Sequence, residues 1–321
     1  FMNTIARKLV LSIVTVVLTV VALGTTTFAW FTLTNTASIQ PFQAQIIADT
    51  GIEIAIGTYN DAPTELAWRT TLTTTEMNNY IEAAYTGGFR FNHVTSADGI
   101  TFNTIGTSGI IPATSGWLTL PIHFRSNSAD RILWTGVTLG TVTGGIITWQ
   151  VDQAYVHTDG LLKTVGSTVD VDPSNGIRIS ITGALNGSTH VEAYEKPGPG
   201  ANNNIVLNTL TVADLYNGGV GYRGAHNYYY EKTGELPGGL TDSSIINLVS
   251  TRTTITYTEG DDATYIPVLD LGDGVEAGAG AAYYGMMTIR VWFEGWDPNS
   301  FNAALNGIVQ SSFQFVGVEK P

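Results

Sequence analysis

Hydrophobic positions along this chain follow two different patterns. From Leu9 to Phe31 (LVLSIVTVVLTVVALGTTTFAWF) there is no charged side chain, and Arg7 and Lys8 stand just before the run. At about 1.5 Å per residue, such a stretch is long enough as a helix to cross a bilayer core of about 30 Å. Beyond it, apolar residues come in short runs that alternate with polar or small ones. This period of two marks strands with one face buried. The pattern predicts extended chain over Ile39–Gly57, Phe89–Val94, Trp117–Arg125, Ile132–Thr138, Gly145–Val156 and Ile177–Thr182. Later strands are predicted at Ile245–Ile246, Thr254–Thr258, Tyr265–Leu271, Met286–Phe293 and Ser311–Val318. Pro121 inside WLTLPIHFR points to an edge or a bulge, because proline has no N–H to give a ladder.

Between residues 37 and 321 the stretch Glu65–Tyr85 alone carries helical spacing. Met77, Tyr80, Ile81 and Ala84 share one face, and Thr75 is the candidate N-cap. The Lys196–Ala201 run (KPGPGA) and the following Asn202–Asn204 form the strongest loop signal. Tyr216–Gly239, rich in glycine and tyrosine, reads as a structured surface loop. Short strands without βα alternation exclude a parallel α/β sheet. The expected fold is mainly β. A long hydrophobic N-terminal helix (residues 1–36) precedes an antiparallel β-sandwich or jelly-roll body (residues 37–321) with long loops, subdivided near 196–204.

Composition narrows the chemistry. Asp and Glu outnumber Lys and Arg by 27 to 14, giving a net charge of -13, which excludes nucleic-acid binding through phosphate contacts. There is no cysteine, so no disulfide and no thiol nucleophile. No Gly-x-Ser-x-Gly elbow and no His-Glu-x-x-His motif occurs, and His93, His123, His157, His190 and His226 are dispersed. An enzyme is not expected, nor is a cofactor. Asp170, Asp172 and Asn175 lie in an Asp-rich loop (DVDPSNG) and are the metal candidates, for calcium, although the glycine comes one position later than an EF-hand needs. Solvated turns are the plainer reading of this loop and of the acidic loops at Glu259–Asp262 and Asp270–Glu276. Tyr222, Tyr228, Tyr229, Tyr230, Trp292 and Trp296 are either a sugar platform or, preferably, an interface or core.

Three fates fit the apolar run: a signal peptide cut after Thr27-Phe28-Ala29, a membrane anchor, or a retained helix buried among copies of itself. The third is carried forward, with Leu9, Ile13, Val16, Val17, Val20 and Leu23 as the polymer-core candidates. Thr15 and Thr19 are tolerable there, since a hydroxyl can bond to a carbonyl one turn back. The first residues, Phe1 followed by a long apolar helix, resemble a processed type IV pilin N-terminus. Position 5 is Ile5 rather than the glutamate usual in bacterial pilins, and the layout is closer to archaeal pilins. Phe28-Ala29-Trp30-Phe31-Thr32 resembles the junction of TasA- and camelysin-like surface proteins of Gram-positive bacteria. Ile289–Pro298 (IRVWFEGWDP) is similar to the closing strand and turn of related exported proteins. That resemblance implies a jelly-roll-like body in a surface or matrix fibre, assembled by giving an N-terminal strand to a neighbour. Ile39–Ile56 is the stretch on offer, with Ile46, Ile52, Ile54 and Ile56 as donor-strand candidates.

The function expected is therefore that of the major structural subunit of an extracellular helical filament at the cell surface. A matrix or envelope fibre built by strand donation is the first alternative, and a membrane-anchored adhesin or lectin the second. Expected partners are copies of the chain, membrane lipid before assembly, and glycans of neighbouring or host cells.

Overall fold

The computed structural model describes residues 43–48, 51–106, 108–197, 209–216 and 222–320. The predicted helix over residues 1–36 lies outside them. The described chain is mainly β, in several sheets.

One five-stranded sheet comprises β1 (Gln43–Ala48), β3 (Thr71–Leu72), β8 (Arg131–Thr141), β17 (Pro267–Asp270) and β20 (Val309–Val318), in the order β17-β8-β20-β1-β3. The second has the order β14-β13-β19-β7-β2, from β2 (Ile52–Ile56), β7 (Trp117–Ser126), β13 (Ile177–Leu185), β14 (Ser188–Glu195) and β19 (Tyr283–Glu294). Two short strands, β4 (His93–Val94) and β18 (Gly272–Asp273), also pair with β19. Both sheets draw strands from before and after residues 196–204. Four small two-stranded sheets accompany this frame among the described residues: the hairpins β5 (Asn103–Gly106) with β6 (Gly109–Pro112) and β10 (Tyr155–Val156) with β11 (Leu162–Lys163), and the longer-range pairs β9 (Ile147–Gln150) with β12 (Thr168–Val171) and β15 (Thr209–Thr211) with β16 (Ile245–Asn247).

The alternation seen in the sequence is what joins the two sheets. Leu118, Leu120, Ile122 and Phe124 of β7, Ile177, Ile179 and Ile181 of β13, and Met287, Ile289, Val291 and Phe293 of β19 are all buried in one core. The other sheet contributes Ile46, Ile132, Trp134, Phe313 and Phe315 to it. Phe124 and Phe315 meet edge to face across the layers, ring centres 5.5 Å apart. At the β13–β17 crossing the layers come closer still. A Cβ placed on Gly183 would overlap the Val268 carbonyl.

Pro121 falls, as expected, at an edge, but one confined to the first half of β7. β2 pairs with residues 122–126 of β7, so β7 is interior there, and β2 ends at Ile56 opposite Ile122. From Pro121 back to Trp117 that side of β7 has no β2 partner, so the missing N–H costs no ladder bond.

The predicted helix forms as α1 (Thr74–Ala84), but its cap is Thr73 rather than Thr75. Thr73 N donates to Glu76 Oε2 (2.9 Å) and Glu76 N donates to Thr73 Oγ1 (3.4 Å), a reciprocal capping box. Met77 and Ile81 are buried, Tyr80 is half-buried and Ala84 is exposed. Two further helices are α2 (Val212–Leu215) and α3 (Gly224–Thr233). The latter replaces the expected surface loop. It buries His226 and Asn227 along with Ala225 and Tyr229, so no apolar stripe announces it. Gly234 ends it in the left-handed region at φ 71. Thr254–Thr258 is not a strand: the neighbouring backbone pairs only at Arg252, which bridges Tyr194. Gly145–Val156 breaks into β9 and β10.

Candidate functional site

The first described strand is β1. Its six residues (QAQIIA) alternate exposed and buried, with Ala44, Ile46 and Ala48 facing the core. All six pair in parallel with β20, from Gln43 opposite Gln310 to Ala48 opposite Phe315. On its other side β1 meets only the two-residue β3, through Ile46–Leu72 and Ile47–Thr71. The candidate donor strand Ile39–Ile56 does not survive as one piece. Ile46 is in β1, whereas Ile52, Ile54 and Ile56 are in β2 of the opposite sheet. Gly51, at φ 98, stands immediately before β2. Leu9, Ile13, Val16, Val17, Val20 and Leu23 lie outside the described residues, as does the Phe28–Thr32 junction.

The carboxylates among the calcium candidates have protein partners. The carboxylate of Asp172 accepts from Ser174 N (2.9 Å), Ser174 Oγ (2.6 Å), Thr141 Oγ1 (2.5 Å) and Lys196 Nζ (2.9 Å). An ammonium thus stands where a cation would. Asp170 accepts from Thr148 Oγ1 across the β9–β12 pair, and Asn175 sits in the 3-10 turn Pro173–Gly176. Among the described residues no group of three or more His, Cys, Asp or Glu is placed to hold a metal ion. Asp270, in another acidic loop, is held by Arg131 (2.6 Å) and Lys320 (2.9 Å). Burial raises its pKa, but bonds from Arg131, Asn186 N and Lys320 outweigh that and hold it well below the usual carboxylate range.

The aromatic platform is largely interior. Trp292 and Trp296 are fully buried and Tyr229 nearly so. Tyr228 packs edge-on against Trp149 and Tyr155, and Tyr222 lies edge-on to Tyr230.

The most unusual chemistry was not singled out from the sequence. Arg178, on the face of β13 away from the inter-sheet core, is 1% exposed and meets three equally buried carboxyls. Its Nη2 is 2.9 Å from Glu195 Oε2, and Nη1 is 3.7 Å from Glu294 Oε2. Asp297 adds a third negative group to its field. Burial pulls the guanidinium pKa down, yet the three carboxyls outweigh it and the net shift is upward. Glu294 accepts from Trp292 Nε1 (3.0 Å) and Trp296 N (3.2 Å). Asp297 Oδ1 accepts from Asn299 N (2.8 Å) and Asn299 Nδ2 (2.9 Å).

Helix α3 is bonded to the turn that carries Glu294 and Asp297. Burial takes the His226 pKa down to about 4, so the ring is neutral at pH 7. Its Nε2 is 2.9 Å from the Trp296 carbonyl, which can only accept, so Nε2 carries the proton and Nδ1 faces Tyr216 OH (3.4 Å) as acceptor. Ala225 N donates to Pro298 O (2.7 Å). A charged strand residue flanked by buried isoleucines, as in IRISIT, was the available signal. Its partners are 17 and more residues away, and sequence spacing does not connect them.

Comparisons with protein-family models, with curated proteins and with solved structures give no match. Among the described residues no helix is long and apolar enough to cross a membrane.

The cluster makes a signed pH prediction. Burial pushes Asp297 up to about 7, only partly offset by Arg178 and Asn299, against about 3.9 in an unfolded chain. Its neutral form is the one the fold favours. The group costs nothing below about pH 4, stability is lost as pH rises from there to about 7, and the loss is constant above. Asp297→Asn keeps an acceptor for Asn299 and removes the ionisation. In denaturant unfolding this variant should gain on the wild type progressively between about pH 4 and 7. A difference that does not change with pH would show that Asp297 does not titrate in this window. Asp270 acts oppositely, since its contribution is lost as pH falls.

Proposed function

We propose that this protein is the major structural subunit of an extracellular helical filament. The apolar helix of residues 9–31 packs among copies of itself, and a jelly-roll-like body faces outward. The observation that carries this reading is the fixing of β1. About a dozen residues after the uncharged run, the chain is already locked into a sheet, with Ala44 and Ile46 fully buried against the core. A helix held in a polymer would thereby be only a short stretch of sequence away from the frame. Burying its apolar face contributes about 25 cal/mol per Å², from which the ordering costs of association subtract. A contact that repeats head to tail without closing yields a fibre.

A second reading has its own support. β1 pairs along its whole length with β20 and at only two residues with β3, and the next strand, β2, belongs to the other sheet. Those are the features of a strand that copies could exchange, each seating its β1 beside a neighbour's β20. One experiment separates the two. Val17→Asp or Leu18→Asp should abolish filaments in negative-stain micrographs while the circular dichroism and melting of the β body stay unchanged. Filaments of normal length from either variant would eliminate helix packing and leave strand exchange.

A further inference from the structure

A pocket of about 440 Å³ opens between the chain leaving α1 and the loop entering β7. Its walls are tied together where Asn92 N donates to Gly116 O (3.2 Å). Tyr85, Phe89 and Trp117 line it, with Thr114 and Ser115 at the rim. One face of the Trp117 indole is covered by Phe102, stacked at 4.5 Å. Tyr85 OH accepts from Thr119 N (2.8 Å), the part of β7 that β2 does not reach. That bond leaves the phenol proton available to a ligand. Flat apolar rings beside hydroxyls suit a pyranose, which has a C–H face and a polar circumference.

The charge at the mouth selects the kind of sugar. In this acidic protein every described lysine and most described arginines sit within 4 Å of a carboxylate. Arg90 is exposed, lines the same pocket and has no ion pair or hydrogen bond among the described residues. A planar guanidinium left free in such a setting matches a carboxylate with two parallel hydrogen bonds. We propose that this pocket binds a saccharide bearing a carboxylate, a uronic-acid unit, with the sugar against the aromatic walls and its carboxylate on Arg90. The assignment does not depend on the filament reading.

The test is calorimetric titration of the full-length chain in non-ionic detergent at low ionic strength, where an exposed ion pair is least screened. The probes are tetragalacturonate, its fully methyl-esterified and therefore neutral counterpart, and poly-γ-glutamate as a carboxylate polymer without a sugar ring. Tetragalacturonate should bind, with the ester about tenfold weaker. Arg90→Gln, an exposed change that leaves the melting temperature alone, should bring the acid down to the ester's level without altering the ester. Equal binding of acid and ester, acid binding unaffected by Arg90→Gln, no binding of tetragalacturonate, or equally tight binding of poly-γ-glutamate would each overturn the assignment.

Discussion

Replacing Arg178 with methionine is expected to destabilise the fold by about 3–5 kcal/mol, measured as a shift in the denaturant midpoint at pH 8. The methionine fills a similar volume, so the loss is not a cavity effect. It comes from leaving Glu195, Glu294 and Asp297 buried together with no positive charge, all less than 5% exposed. Burial already raises the Glu195 pKa despite the guanidinium beside it. Without that guanidinium both Glu195 and Asp297 would bind protons at higher pH, and the variant should recover part of its deficit as the solution is acidified toward about pH 5. Arg178→Lys keeps the charge but not the two nitrogens that approach Glu195 and Glu294 separately, and should fall between methionine and wild type. If the methionine variant unfolds within about 1 kcal/mol of wild type at pH 8, the cluster is electrostatically idle and this account of it is wrong.

Gly183→Val should be the most damaging single change between the sheets. Gly183 is in β13, paired with His190 of β14, and the Val268 carbonyl of β17 occupies the space a side chain would need. The obstacle is backbone rather than the movable end of a side chain. Either the two sheets separate or β17 leaves Leu133 and Ile132 of β8. Overpacking of this kind costs about 1–3 kcal/mol where neighbours can yield, and more where they cannot. The valine variant should therefore lose at least about 3 kcal/mol, and alanine a smaller part of it. Ala184→Val, one residue along at an exposed position of the same strand, is the control for strand propensity and should be near neutral. Equal stability of the two valine variants would show that the layers do not pinch at this crossing.

The body's strands were legible because burying one face of a sheet imposes a period of two on the sequence. β7, β13, β19 and β20 were each marked by isoleucines, leucines and phenylalanines two apart, and those side chains form the core. Helix α1 was legible for the corresponding reason, an apolar stripe at helical spacing, with its cap displaced by two residues. Helix α3 was not, because it buries a histidine and an asparagine and is held by hydrogen bonds to a turn some seventy residues away rather than by a hydrophobic face.

The sequence by itself determined that the chain is mainly β, acidic, free of cysteine and headed by an uncharged apolar run, since these follow from composition and local periodicity. Only the tertiary structure decided that Ile46 and Ile52 belong to opposite layers, that Asp172 is occupied by Lys196, that Arg178 gathers three distant carboxyls, and that Arg90, beside Trp117, has no ion pair among the described residues. The physical reason is the same in each case. A pairing between residues far apart along the chain depends on which strands become neighbours, and strand order is settled by the closing of one shared core rather than by any local run of residues.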